Sequence, residues 1–214
     1  MSTQTSPRRR PVTPQAALTV DAILIACERI LEARGPTGLT TNRVAELAGV
    51  SIGSLYQYFP NKEALIGALQ DRYAEDTLGR IRAVLVGAES LPIADVMTRI
   101  AAAVIAAKHA QRPIHRWLIE WRSAAGGQER YRRALDQHVE LITDVLARRP
   151  DVAFEDTYAA AFVIVHAMEG IIEAVSSRTC EIDALRIAEP AVAMVLGFIA
   201  AARTTRDRPA LPLP

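Results

Sequence analysis

The stretch from Ser51 to Tyr58, SIGSLYQY, concentrates side chains that can recognise a nucleic acid. Gln57 carries an amide that can pair with an adenine edge, and Ile52 offers an apolar end that suits a thymine methyl group. The phenol of Tyr56 can donate a hydrogen bond to a phosphate oxygen. The remaining candidate contacts in this stretch are Ser51, Gly53, Ser54 and Tyr58. These residue types predict contact with double-stranded DNA.

Two short helices are predicted to position these side chains. Thr40 is a good N-cap for a first helix that runs to Ala48, with Val44, Leu47 and Ala48 on one apolar stripe. Gly49 can adopt positive φ, and Ser51 can cap a second helix that ends at Tyr58. Helix, tight turn and helix form a helix-turn-helix, whose second helix enters the major groove. Leu55 and Phe59 are the expected core contacts of that second helix.

Residues on either side of the second helix are further candidates for phosphate contact. For Thr40 we expect capping first and phosphate contact second, whereas Thr41 is a candidate contact. Tyr56 and Tyr58 flank Gln57 and cannot both face inward, so at least one should reach a phosphate. After Pro60, Asn61 is expected to cap the next helix, and Lys62 lies in its first turn. A cation there opposes the helix dipole unless an anion such as phosphate is present.

The stretch resembles the DNA-binding domain of the TetR (tetracycline-repressor-like) family of bacterial transcription regulators, over roughly residues 19–69. The matching residues are Thr40, Val44-Ala45, Ala48 to Ser51, Gly53 to Phe59 and Asn61 to Leu65. The resemblance favours Tyr56 as the phosphate contact. Two positions depart from the family pattern, because Asn42 stands where a basic residue is frequent and Arg43 where an acidic one is frequent. Both remain candidate DNA contacts, but Arg43 need not reach the phosphate that the usual residue would reach, since neighbouring helical side chains point about 100° apart.

Composition limits the other properties of the chain. Its 25 basic and 24 acidic residues are nearly balanced, so DNA affinity must come from local placement of charge. Residues 1–18 are predicted to form a disordered arm, in which Arg8, Arg9 and Arg10 either reach DNA or are simply solvated. Cys27 and Cys180 fit reduced thiols better than a disulfide. With no signal sequence and no run of about 18 uninterrupted apolar residues, we expect a cytoplasmic protein without a membrane partner.

Beyond residue 65 the sequence predicts a helical body. Expected helices lie near 62–86, 92–109, 113–123, 127–148, 155–178 and 182–203, with a disordered tail over 204–214. Apolar residues mixed with a few polar ones suit either the wall of a small-molecule pocket or ordinary core. The candidate pocket residues are Met97, Ile100, Val104, His115, Trp117, Trp121 and His166. The spacing of these histidines does not suit metal ligands, so neither metal nor cofactor is expected.

The last two helices are apolar on more than one face, which predicts an interface with a second copy of the chain. Small residues at four-residue spacing would let these helices approach closely, and the family resemblance implies the same pair. The candidate interface residues are Phe162, Val165, Glu169, Ile172, Ala193, Leu196, Gly197 and Ala200. Pro190 is expected either to start a turn or to bend that helix, rather than to lie in a regular helix interior.

Taken together, these features predict an all-α protein. A helix-turn-helix domain of three helices (19–65) precedes a helical bundle for ligand binding and dimerisation (66–203). The leading hypothesis is a homodimeric repressor that leaves its operator when an unidentified small-molecule effector binds. An activator of the same fold is the first alternative, because the sign of regulation depends on operator position. A helical enzyme or scaffold is the second, although the sequence offers no nucleophile with a nearby base and no phosphate loop.

Overall fold

The computed structural model describes residues 13–110, 112–123, 126–152, 154–176 and 184–204. Within these ranges every regular element is helical, as the sequence predicts. The elements are α1 (Pro14–Gly38), α2 (Thr41–Ala48), α3 (Ile52–Tyr58), α4 (Lys62–Leu85), α5 (Ile93–Ala110), α6 (Arg112–Glu120), a 3₁₀ turn (Trp121–Ser123), α7 (Gly127–Ala147), α8 (Thr157–Ser176) and α9 (Ala184–Thr204).

The chain forms two compact units. The head unit comprises the residues up to Asp76 together with Ala110–Ala134, and the body unit comprises Thr77–His109 and the residues from Leu135 onward. The division differs from the boundary at residue 65 that the sequence indicated. The first part of α4, all of α6 and the start of α7 belong to the same unit as the helix-turn-helix.

Helix α1 begins earlier than predicted. Thr13 accepts a hydrogen bond from the backbone N–H of Ala16 (3.2 Å) and Pro14 follows it, which is a favourable start because proline is tolerated in the first turn. Residues 14–18 are therefore helical, and the predicted arm is too long by these residues. Arg8, Arg9 and Arg10 lie outside the described residues. At the other end α1 is kinked at Gly35, where φ is 64°, and it continues to Gly38.

Local signals define α2 and α3 as the sequence predicted. The Thr40 hydroxyl accepts the Arg43 N–H (3.3 Å), and the Ser51 hydroxyl accepts the Ser54 N–H (3.0 Å). Between the helices Gly49 adopts a left-handed conformation with φ 67° and ψ 30°. Its N–H bonds to the carbonyl of Glu46, and the next N–H returns to the carbonyl of Ala45. The turn therefore closes α2 and leads directly into α3.

The head unit has its own apolar core, formed by α1 to α4 and α6. Leu55 and Phe59 are buried there, which confirms them as the residues that anchor α3. Leu39, between α1 and α2, is buried beside them. The prediction that Leu47 lies on the buried stripe of α2 is wrong, because this side chain is 50% exposed. Ala45 is buried instead. The helix therefore packs through Val44 and Ala45.

A polar cluster joins α1 to α4 beside this core. Arg72 Nη2 donates to Glu28 Oε2 over 2.8 Å, and the Tyr73 hydroxyl donates to the other oxygen of the same carboxylate. Burial, followed by the bond to Glu28, raises the pKa of the Tyr73 phenol, so that it remains a donor. Burial also raises the pKa of the neighbouring Cys27 thiol to about 12. Cys27 is free, as expected, while Cys180 lies outside the described residues.

The α6 segment, which we define as α6 with the following 3₁₀ turn (residues 112–123), packs on the head core. Its Ile114 and Leu118 are buried in that core, and Trp117 and Trp121 pack against it. Gln70 Nε2 on α4 donates to the Leu118 carbonyl over 3.2 Å. Asp71 on α4 also pairs with Arg130 near the start of α7. The first half of α4 is consequently held by α1, α6 and α7.

The body unit has a second apolar core. Residues of α5, α7, α8 and α9 contribute to it, among them Val96, Ile142, Ala161 and Val195. Two loops are joined beside this core by Arg149, whose guanidinium donates to the carbonyls of Ala88 (3.3 Å) and Glu89 (3.1 Å). Asp151 accepts both Arg149 Nε (2.9 Å) and the first N–H of α5, at Ile93 (2.8 Å). The bond to Arg149 lowers the pKa of the Asp151 carboxyl.

Helices α8 and α9 pack on each other but leave apolar side chains outside. The stretch Thr157–Val175 of α8 is long and apolar enough to cross a membrane, by length and composition only. The sequence expectation missed it because Glu169 and Glu173 interrupt the apolar run. Pro190 lies inside α9 instead of starting a turn. Its exposed position makes the loss of one backbone hydrogen bond tolerable.

The conformation of Gly49 generates a stability prediction. A Cβ at Gly49 or at Gly79, in α4, would meet no atom within 4 Å, but only Gly49 has positive φ. Gly49→Ala should lower the free energy of unfolding by about 1 kcal/mol, since a left-handed conformation is unfavourable for alanine. Gly79→Ala, the matched control, should raise it by about 0.5 to 1 kcal/mol. Denaturant unfolding of both variants checks this, and equal shifts would contradict it.

Candidate nucleic-acid interface

Helix α3 presents one polar face outside the head core. Leu55 is fully buried, whereas Ile52 is 39% exposed and Gln57 is exposed on the outer side. Gly53 is also exposed, and the nearest atom to a Cβ placed on it would be the Ser51 hydroxyl oxygen at 3.8 Å. The side chains predicted to read bases are therefore on the surface, on a helix whose outer face has little bulk.

The two tyrosines of α3 have different environments. Tyr56 is 41% exposed, and its hydroxyl lies 3.1 Å from Thr41 Oγ1 at the start of α2. Tyr58 is partly buried and packs against the head core. As expected from the sequence, the two tyrosines do not both face inward. The Tyr58 ring packs on the core, and Tyr56 is on the outer side. The hydrogen bond between Thr41 and Tyr56 also brings two predicted phosphate contacts together.

Capping explains the placement of the hydroxyl residues. Thr40 caps α2, which confirms the role that we expected first. Ser51 caps α3 and also lies 2.8 Å from the Ser54 hydroxyl. Each of these residues is exposed or partly so. Their oxygen atoms hold the helix ends in place, and any contact of theirs with DNA stays a prediction.

The two positions that depart from the family pattern are both exposed on α2. Arg43 Nη1 donates to the Gly38 carbonyl over 2.9 Å, which satisfies a backbone acceptor at the end of α1. The guanidinium is thus engaged within the head unit, while Asn42 is exposed on the preceding position.

Lys62 lies at the start of α4, next to α3. Asn61 caps this helix through a hydrogen bond from the Ala64 N–H to Asn61 Oδ1 (2.8 Å), as predicted. The Lys62 ammonium is exposed and lies 5.5 Å from the centre of the Trp121 ring. Sequence reasoning missed this contact, because nothing in the spacing of two residues 59 positions apart indicates that they meet.

The predicted pocket residues do not all belong to one unit. Met97 and Ile100 are buried in the body core, with Val104 at its edge. His115 is buried in the head unit, where Trp117 and Trp121 pack against the core. A Cβ on Gly35 would lie 3.2 Å from Trp117, so α1 and α6 approach closely there. The predicted pocket residues are therefore distributed over the two units, and their contact with a ligand stays a prediction.

The predicted interface residues on α8 and α9 fall into two groups. Phe162 is 46% exposed, and Ala193, Gly197 and Ala200 are exposed on α9. The others are partly buried, namely Val165, Glu169, Ile172 and Leu196. Glu169 forms a salt bridge with Lys108 of α5 (3.5 Å). Sequence reasoning missed three exposed apolar side chains, Tyr158, Val163 and Met194, because helical periodicity alone does not say which face of an apolar helix is covered.

His166, predicted for the pocket, is partly buried on α8. Its ring stacks on Phe162 with 3.9 Å between ring centres, and its Nδ1 lies 2.9 Å from the Phe162 carbonyl oxygen. His166 therefore lies against the exposed Phe162 of the same helix, and its contact with a ligand stays a prediction.

Comparison with known sequences agrees with this arrangement. Residues 23–69 match the family described as bacterial regulatory proteins, tetR family, and residues 92–199 match the tetracyclin repressor-like C-terminal domain. This chain belongs to the TetR family. The region of this chain that matches the N-terminal TetR model contains α2, α3 and the start of α4. These elements carry the candidate DNA contacts.

Individual relatives show where the similarity is strongest. The HTH-type transcriptional repressor DrrR1 of Streptomyces coeruleorubidus is 40% identical over 65 residues, which are 30% of this chain and 24% of that protein. The chain thus matches about a quarter of the length of this curated relative.

Solved structures show the same fold over most of the chain. A TetR-family transcriptional regulator from Streptomyces coelicolor has a TM-score of 0.57 at 24% identity, covering 86% of this chain and 99% of that one. The fatty acid degradation regulator FadR from Bacillus halodurans has a TM-score of 0.65 at 18% identity, covering 88% and 97%. At these identities the structural similarity concerns the fold alone.

The cap at Thr40 generates the prediction for this site. Thr40→Ala should lower the free energy of unfolding by about 1 kcal/mol, because the Arg43 N–H loses its acceptor. Thr40→Ser keeps the hydroxyl and should retain most of the stability. Denaturant unfolding monitored by circular dichroism measures the difference, and equal stability of the two variants would argue against a capping role.

Proposed function

We propose that this protein is a sequence-specific DNA-binding transcriptional regulator, acting as a homodimeric repressor that an unidentified small-molecule effector releases from its operator. The observation that carries the proposal is the exposed polar face of α3, held by the buried side chains of Leu55 and Phe59. Proteins of the TetR family regulate transcription and are not enzymes. The named repressor among the relatives supports repression over activation.

Base recognition is assigned to the outer face of α3. Gln57 is exposed and can form a bidentate pair with adenine, and Ile52 can contact a thymine methyl group. Gly53 and Ser54 leave room for the helix to approach the groove. Because the exposed part of α3 is short, each copy of the chain has few base contacts, and each should matter strongly.

Phosphate contact is assigned to residues around α3. The hydroxyls of Thr41 and Tyr56 lie together at the recognition helix, and Lys62 is exposed at the start of α4. Thr40, Ser51 and Asn42 are exposed candidates of the same kind. Arg43 is a weaker candidate, because leaving the Gly38 carbonyl for a phosphate would remove an existing hydrogen bond. Tyr58 is weaker as well, since its ring packs on the core.

Pairing of two copies is assigned to the exposed face of α8 and α9. Tyr158, Phe162 and His166 follow one another at four-residue spacing on α8, and Ala193 and Gly197 do so on α9. The small side chains on α9 permit close approach of a partner helix. A second copy would cover apolar surface that is otherwise in contact with water, which is the usual driving force for association.

Effector control follows from linkage. A ligand that binds better to the DNA-free conformation must weaken DNA binding by the same factor, typically about 5- to 150-fold. The candidate residues for such a ligand in the body unit are Met97, Ile100 and Val104. His115, Trp117 and Trp121 belong to the head unit, so we assign them to packing there first and to ligand contact second.

Substitution of Gln57 and of Lys62 should affect DNA binding differently. Gln57→Ala should weaken binding to a duplex selected from a random-sequence pool by about 5- to 150-fold and relax preference at one base pair. Lys62→Met should weaken binding to all duplexes alike and reduce the salt slope by about 1 per DNA-binding head. Fluorescence anisotropy over a range of salt concentrations measures both effects.

Gln137→Ala is the matched control for these variants, because Gln137 is exposed on α7 in the body unit. It should leave affinity and base preference unchanged. Failure of the wild-type protein to enrich any duplex would contradict the assignment of α3 to DNA reading.

Phe162→Glu should convert the dimer into a monomer. Each copy would place a carboxylate in an apolar interface, so the dimer dissociation constant should rise at least about 100-fold. Val86→Glu, the control, adds the same charge at an exposed valine in the body unit and should leave the dimer intact. Analytical ultracentrifugation at micromolar concentration measures the state. A monomeric wild-type protein that sediments with lipid vesicles would instead assign α8 to a membrane.

A further inference from the structure

The contact between Lys62 and Trp121 joins two parts of the head unit that are far apart in sequence. Lys62 is the first residue of α4, beside the recognition helix, and Trp121 belongs to the α6 segment. The ammonium lies 5.5 Å from the ring centre. A cation within about 6 Å of an indole face is attracted by the negative potential of the ring, and tryptophan provides the strongest such face.

The aromatic side of this contact is fixed by the packing around it. Trp121 packs against the head core. A Cβ on Gly127, at the start of α7, would lie 2.7 Å from the Trp121 carbonyl oxygen and 2.9 Å from that of Arg122. Only glycine permits so close an approach of the two backbones. One turn earlier the Leu118 carbonyl accepts Gln70 of α4. The backbone that carries Trp121 is thus held by α4 and approached closely by α7, while the indole itself packs on the head core.

The position of Lys62 at the start of α4 is unfavourable for a lysine in two respects. A cation in the first turn of a helix is unfavourable, because the N-terminal end of the helix dipole is positive. A lysine side chain is also long and loses much rotamer freedom when it is fixed. An aromatic face opposes both effects, since it attracts the ammonium and restricts the side chain while leaving N–H donors directed to solvent.

We propose that Trp121 is a positioning residue for DNA binding, which holds the Lys62 ammonium at the start of α4 ready for a backbone phosphate. The inference rests on the proposed function. Because Trp121 belongs to the α6 segment, the position of that segment then influences operator affinity through Lys62. A shift of the 3₁₀ turn away from α4 would release the lysine and weaken DNA binding.

A double-mutant cycle tests this inference in the full-length protein. The variants are Trp121→Leu, Lys62→Met and the combination of the two, and the probe is a duplex that the wild-type protein selects from a random-sequence pool. With Lys62 present, Trp121→Leu should reduce affinity by about two- to fivefold per DNA-binding head. With Met at position 62 it should cause no further loss. Trp121→Phe keeps an aromatic face and should recover part of the affinity.

The outcomes separate positioning from other roles. An equal loss in both backgrounds would mean that Trp121 acts through packing alone and would overturn the inference. A gain in affinity on Trp121→Leu would mean that the indole sequesters Lys62, which also overturns it, as would no change. If the wild-type protein selects no duplex, the proposed function itself fails, and this result is distinct from all three.

A spectroscopic measurement keeps the test independent of how well the leucine variant folds. Since the chain contains two tryptophans, Trp117→Phe leaves Trp121 as the single indole. In that background Lys62→Met should change the Trp121 emission and Lys62→Arg should largely restore it. Unaltered emission would show that the ammonium does not reside on the ring. Gln137→Ala, which changes an exposed side chain on α7 in the body unit, is the control for DNA binding and should leave affinity unchanged.

Discussion

The constraint on which the rest of the structure depends is the length of α3. A helix of seven residues is far below the roughly 12 to 15 residues at which an isolated helix becomes stable in water. Its stability must come from the side chains of Leu55 and Phe59, each of which contributes about 1.5 to 3 kcal/mol on burial. The exposed residues of α3, among them Ile52, Tyr56 and Gln57, are then free to face a partner. Gly49, the cap at Ser51 and the contact between Thr41 and Tyr56 determine the direction in which that face points.

A short helix needs a rigid support, and the first half of α4 provides it. Glu28 on α1 binds Arg72 and Tyr73, Leu118 on α6 binds Gln70, and Arg130 on α7 pairs with Asp71. Four consecutive residues of α4 are therefore held by three other helices. The unit that carries the helix-turn-helix includes residues from beyond position 110 for this reason. DNA recognition in this chain depends on contacts that the helix-turn-helix sequence does not contain.

The features that could be predicted from the sequence are those determined by near neighbours. Thr40, Ser51 and Asn61 are caps because their hydroxyl or amide oxygens accept N–H groups three residues further on, and Gly49 marks a turn because of its own backbone freedom. Features determined by distant parts of the chain were not predictable. Periodicity placed Leu47 in the core, yet it is 50% exposed, and nothing in the sequence indicated that Lys62 of α4 lies beside the Trp121 ring. Helix α9 likewise continues through Pro190, since the position is exposed.

The shortness of α3 also bears on the pairing that we propose through the exposed face of α8 and α9. One α3 offers few side chains to the bases, and each good contact discriminates by only about 1 to 3 kcal/mol. A bacterial genome presents millions of competing sites, so one helix of this size cannot select an operator. When two heads are joined in one molecule, the second binding event is intramolecular, which raises the overall affinity. The free energies of discrimination of the two heads then add. The pairing that we propose through the apolar face of α8 and α9 would supply the second α3 that selection of one operator requires.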